Sequence, residues 1–267
     1  MAEENTTVTE VRRKVSKEEN GDRKNLASAV ELIAAATTMG AKYRPATADL
    51  ALANIKKVNC AAVAAMDEVR RLEPTHKTAQ NERRSAYKEL KHIASRVLKT
   101  MKSCGAAKKE LNDVSALQGR VMGYVQKKKD GGRSTAQTGF ANRIGYFRDL
   151  AAMLAASKVY ATNENDLTVA ALKKRADNLA ALNEATTVAA YPLHAARLHR
   201  DTVLYAQPSG LVDIGIRSKR YIEGAFGANS AEYKMIRAIV FKRRDIVSES
   251  GLQDEIEAPA AAPEAKG

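Results

Sequence analysis

Tryptophan is absent from this 267-residue chain, and aromatic residues of all kinds make up only 5% of it. Strands favour aromatic and β-branched side chains, so this poverty argues against a sheet sandwich or barrel. Cysteine is nearly missing too, with only Cys60 and Cys104. Two cysteines make no disulfide framework, and their surroundings lack metal-ligand spacing. Both are expected as small buried apolar side chains. No eighteen consecutive residues are apolar, so no membrane-spanning helix is expected. The opening MAEENTTVTEVRRK lacks the basic, then apolar, then small-residue order of a secretion signal, and a cytoplasmic protein is the expectation.

Catalytic signatures are equally scarce. There is no glycine-rich phosphate loop followed by Lys-Ser/Thr, no dinucleotide fingerprint, no HExxH pair and no nucleophile elbow. The histidines are His76, His92, His194 and His199. None pairs with another at i,i+3 or i,i+4, the spacing that sets two ligands on one helix face. Glu68, Asp113 and Glu223 lie among basic residues, where solvated ion pairs are the ordinary outcome. These residues lead us to expect no enzyme, no metal, no cofactor and no small-molecule substrate.

What the chain does have is alanine, within a hydrophobic fraction of 45%. That fraction rules out disorder throughout and can fill a core at this length. Alanine is the best helix former and lets helices approach closely, so an all-α protein is expected. The other surplus is positive charge, +13 for the whole chain. Residues 1–10 and 249–267 carry −3 and −4, which leaves +20 on residues 11–248. A basic body with acidic ends should attract polyanions.

The chain also repeats itself. YRPATADLALANIKK at 43–57 is echoed by YATNENDLTVAALKK at 160–174, so that Tyr43 meets Tyr160, Asp49 meets Asp166, Leu50 meets Leu167, and Lys56-Lys57 meet Lys173-Lys174. Upstream, in the same register, Ala27, Val30 and Ile33 fall on Ile144, Phe147 and Leu150, spaced by three as on one helical face. Downstream, after a small shift, Ile93, Arg96, Lys99 and Met101 fall on Ile214, Arg217, Arg220 and Ile222, and Gly105 falls on Gly227. The spacing predicts two duplicated helical units, about 24–113 and 141–240. Asp49 and Asp166 stand where N-caps or first-turn carboxylates belong. The helices they open carry heptad stripes, Ile55, Ala62 and Val69 in one and Leu172, Leu179, Thr186 and Leu193 in the other.

Pro74 and Pro192 interrupt these stripes, yet the apolar phase continues through both. A long kinked helix is therefore expected over two helices joined by a turn. Near the end, Ser230 should cap a helix reading AEYKMIRAIVFKRR. A unit with one apolar face needs a partner. The expected fold is thus a pseudo-symmetric antiparallel helical bundle, a single domain over 23–245 between an unstructured arm at 1–22 and an acidic Ala/Pro tail at 246–267.

The run GLVDIGIRSKRYIEGAFGANSAEYKMIRAIVF, with the doubled tyrosine and Asp-Leu openings, resembles a family of uncharacterised bacterial helical proteins. The matching elements are Gly210, Leu211, Val212 and Asp213, then Tyr221, Phe226, Gly227, Ser230, Tyr233, Lys234 and Ile236. The resemblance implies a bacterial helical protein with a duplicated core. It implies no activity, cofactor or binding residue.

The strongest candidate site is the basic connector at 118–140. It holds Arg120, Lys127, Lys128, Lys129 and Arg133, followed by Arg143 and Arg148, with Tyr124, Phe140, Tyr146 and Phe147 interspersed. Clustered cations suit phosphates, and exposed rings could stack on unpaired bases. The other reading is a solvated loop whose last rings begin the next helix's buried face. A second cluster, Lys242, Arg243 and Arg244, is expected to end the last helix, where cations also suit the dipole. DNA, RNA or another polyanion is the expected partner, bound largely without regard to sequence. The competing expectation is a scaffold that self-associates, or binds partner helices, through alanine-rich faces.

Overall fold

The computed structural model describes residues 18–124 and 139–244. Within them the chain forms seven α-helices and no strand: α1 (Glu18–Met39), α2 (Leu52–Ser103), α3 (Lys108–Met122), α4 (Phe140–Ala156), α5 (Val169–Tyr205), α6 (Leu211–Phe226) and α7 (Ala231–Ile236). The all-α expectation is met. No helix among the described residues is long and apolar enough to cross a membrane. Pro74 and Pro192 both lie inside unbroken helices, α2 and α5.

Several local expectations are corrected. Asp49 and Asp166 do not cap α2 and α5; each sits in a short 3-10 turn just before. The hydroxyl of Thr168 takes the capping place on α5, accepting from the Ala171 N–H at 3.3 Å. Helix α1 begins at Glu18, inside the expected arm, because Asp22 is buried in a polar cluster described below. The α1 face that is buried runs Ala29, Leu32, Ala36 and Met39, while Val30 is 56% exposed. It matches the buried Phe147, Leu150 and Leu154 of α4 one residue out of the expected register, and one residue is about 100° of helix rotation. Cys60 is exposed and Cys104 half-buried, with its thiol 3.2 Å from the Ala161 carbonyl. Cys60 lies about 140° around α2 from the buried Ile55, off the apolar stripe.

The chain divides into two compact units, and neither coincides with a repeat read from the sequence. One takes the described residues through Glu68 and from Arg197 onward; the other takes those from Val69 to Ala196. Both long helices contribute to both units.

In the first unit α1 packs on α6 and α7. Its core gathers Leu32, Met39, Ile55, Ile214, Ile222 and Ile236, with a neighbouring cluster around Ala62, Leu204, Leu211 and Val212. Tyr43 lies edge-on to Tyr221 at 5.5 Å and donates its hydroxyl hydrogen to the Leu50 carbonyl at 2.8 Å. Beneath the same turn, Arg217 reaches Asp49 at 3.6 Å.

The second unit pairs α3 with α4. Its core runs through Leu90, Val97, Met101, Val114, Phe147, Leu150, Leu172 and Leu179. Phe147 is fully buried, and such burial stabilises by about 1.5–3 kcal/mol. Here Tyr160 donates to the Leu167 carbonyl at 2.8 Å, and Arg96 grips Asp166 through both carboxylate oxygens. Glycines at positive φ follow α2 and α6, Gly105 at 75° and Gly227 at 86°. An L side chain is disfavoured there, which is why glycine ends these helices.

Candidate polyanion interface

The predicted cationic residues separate into three groups. Lys127, Lys128, Lys129 and Arg133 lie outside the described residues. Arg120 is exposed near the end of α3, its guanidinium 5.5 Å from the Tyr146 ring. Of the connector's rings, Phe147 is core, and Phe140 and Tyr146 pack against that core. Phe140 also carries the Arg83 guanidinium at 4.1 Å from its centroid. Only Tyr124 stands well exposed, at 71%.

The cluster Lys242, Arg243 and Arg244 does not end a helix. Ser230 does cap α7, accepting from the Tyr233 N–H at 3.0 Å, but α7 stops at Ile236. Two causes act together. Ile239, Val240 and Phe241 are poor helix formers, and side chains distant in sequence take the backbone groups that a helix would use. Ser28 donates to the Val240 carbonyl at 2.9 Å. Asn25 accepts from the Lys242 N–H at 2.8 Å and donates to the Lys242 carbonyl at 2.9 Å. Lys219 donates to the carbonyls of Arg237 and Ile239, and burial lowers its pKa.

Within this segment two of the three cations face carboxylates. Arg243 meets Asp213 at 3.1 Å. Arg244 meets Asp201 at 2.5 Å and Asp22 at 3.9 Å, and lies 5.0 Å from the centre of the Tyr205 ring. Burial works to lower the Arg244 pKa, but Asp201 and Asp22 outweigh it and hold it above the ordinary value. Arg200 adds a second guanidinium, 2.7 Å from Asp201 and 3.5 Å from Asp22. Tyr205 donates to Asp22, and burial followed by that carboxylate raises its pKa. Two arginines and two aspartates thus balance. Charge already met by a buried carboxylate has little to offer a phosphate.

Uncompensated charge lies instead on α2, in the second unit. Lys77, Arg84, Lys88, Lys91, Lys99 and Lys102 are all exposed. At 100° per residue they fall within about 40° of one line along the helix. The core residues Ala86, Leu90, Ile93 and Val97 occupy the opposite side. From Lys77 onward no carboxylate shares that arc. Glu73 precedes it, Glu82 and Glu89 point well to one side, and Glu89 is engaged by Arg175 at 3.3 Å. Among the described residues none of the six cations forms an ion pair. Asn81 and Ser95 fill the two remaining positions on that arc.

Two further cations of this unit also lack carboxylates. Arg83 bonds Asn183 at 3.1 Å, and Arg143 bonds the Val121 carbonyl at 2.7 Å while lying 4.9 Å from the centre of the Tyr87 ring. Burial lowers both arginine pKa values and pushes the Tyr87 phenol up to about 12. These two are partly sunk into the unit, whereas the α2 row stands in solvent.

Comparison with known proteins gives no lead: no family model, no curated protein and no solved structure matches the chain.

Proposed function

We propose that this protein acts by binding rather than by catalysis, and that its partner is a polyanion, nucleic acid first, held largely without regard to sequence. The observation that carries this is the row of six solvent-exposed cations on one face of α2, with no carboxylate among them. Lysines and arginines that neutralise phosphates release condensed counterions, so affinity falls steeply with salt. With six contacts, raising salt from about 50 to about 200 mM should weaken duplex binding about a thousandfold. A mobility-shift series across ionic strength tests this. Absence of any shift at the low end would end the proposal.

We also propose that the fold is a duplicated one, in which a helix of each repeat, α2 of the first and α6 of the second, holds the other's opening turn. Two pairs of equivalent bonds support it. Tyr43 and Tyr160 each donate to a carbonyl seven residues on, and Arg217 holds Asp49 as Arg96 holds Asp166. The proline positions belong to the same picture, with α2 and α5 bending there while staying continuous.

Self-association is a second reading with its own observation. Val188 and Tyr191, three apart on α5, are 63% and 59% exposed. Light scattering separates the two: an oligomer insensitive to salt, with no affinity for nucleic acid, favours the scaffold.

A further inference from the structure

Resting on the polyanion reading, we infer that the α2 row is built for double-stranded DNA, spanning one turn of the duplex, and not for an unpaired strand. The six cations are not evenly spread. Lys77 stands first, Arg84, Lys88 and Lys91 form a middle group, and Lys99 with Lys102 ends the row. At a rise of about 1.5 Å per residue the group centres lie roughly 16 and 19 Å apart, about 35 Å from end to end. That total equals one turn of B-form DNA, about 34–36 Å. One turn crosses one wide and one narrow groove, about 12 and 6 Å clear, each widened by the phosphates that line it, so the longer interval falls over the major groove and the shorter over the minor.

A helix laid along a duplex in this way meets one strand at its two ends, one turn apart. The other strand passes the middle group. The array lies on an unbroken helix, so the spacing is set before binding and suits an equally stiff partner; little ordering cost remains. A flexible single strand gains nothing from such a ruler. Proteins that hold unpaired bases do so with stacking platforms, and the α2 arc carries no aromatic side chain at all. Tyr87, the one tyrosine, phenylalanine or tryptophan on this part of α2, is 3% exposed and on the core side, and the exposed His92 lies outside the arc, about 60° from its centre.

The test uses the full chain and four probes under one low-salt condition: a 20-base-pair DNA duplex, an 8-base-pair duplex, the 20-nucleotide single strand, and a 20-base-pair RNA duplex. We expect the long DNA duplex to bind at least tenfold more tightly than the single strand. It should also exceed the short duplex by more than the ratio of available sites, and outbind the A-form duplex, whose geometry differs. Lys77→Gln/Lys102→Gln should remove most of the long-over-short advantage. Circular dichroism should show its helix content unchanged, since both side chains are exposed. Single strand bound as tightly as duplex, or no dependence on length, overturns the inference and leaves the polyanion reading standing. No binding to any of the four overturns both.

Discussion

Replacing Asn25 by alanine probes how the segment around Lys242 is held. Asn25 is completely buried and makes three hydrogen bonds: from the Lys242 N–H at 2.8 Å, to the Lys242 carbonyl at 2.9 Å, and to the Tyr205 hydroxyl at 3.3 Å. The third is long, and Tyr205 keeps its bond to Asp22, so two bonds decide the outcome. Each is worth about 1 kcal/mol net, and more where the stranded group stays dry. Lys242 itself is exposed, so water can reach its backbone once the segment loosens. The sum is about 2–3 kcal/mol. Because this strip is outside any helix and is held by side chains, the loss should show first as local opening. Hydrogen exchange at the Lys242 amide should speed up by roughly 30- to 150-fold, with a smaller change in amides of the second unit's core. Asn25→Asp should cost more at neutral pH, since it deletes the donor to the Lys242 carbonyl and adds a third carboxylate to the cluster that holds Asp22 and Asp201. If Asn25→Ala leaves both exchange and unfolding unchanged, the two-way clamp has been misjudged.

Two other expectations test packing and titration. A Cβ on Gly215 would lie 2.4–2.7 Å from the Phe241 ring, so Gly215→Ala should destabilise by about 1–3 kcal/mol; in chemical unfolding most of that cost should vanish when Phe241→Ala is already present. Burial holds the Tyr87 phenol near pKa 12 against about 10 in the unfolded chain. The unfolded state therefore ionises first, and the stabilisation is complete below about pH 10 and lost between there and about pH 12. Phenolate absorbance of wild type and Tyr87→Phe checks it: the step near pH 12 should disappear in the variant, while Tyr205, raised further by burial and Asp22, still ionises above it.

The heptad stripe was the most legible feature of the sequence. Leu172, Leu179, Thr186 and Leu193 are all buried as spaced, because a long helix gives a periodic signal many turns to accumulate. The sequence pattern of α1 points one residue away from its inner face because Ala27, Val30 and Ile33 are apolar, while that face begins with Asp22, Asn25 and Ser28, polar groups whose partners lie some 200 residues away. Those same partners end α7 early, and no local pattern announces them. The connector's lysines are contiguous and so form a local signal in the sequence. The α2 cations were equally present in the sequence, but they are spread over 26 residues and interleaved with core positions, so only the helical period reveals them as a row.

The most direct measurement of the central claim is the salt dependence of duplex DNA affinity for three proteins: wild type, Lys88→Gln/Lys91→Gln, and Arg243→Gln/Arg244→Gln. With six phosphate contacts the wild-type log–log slope should be about −5, and the α2 variant should lose about 2 from it. The variant at 243 and 244 should keep the wild-type slope, since its charges already face Asp213, Asp201 and Asp22. A slope that survives the α2 change, or collapses with the other, would contradict the assignment of the interface to this helix.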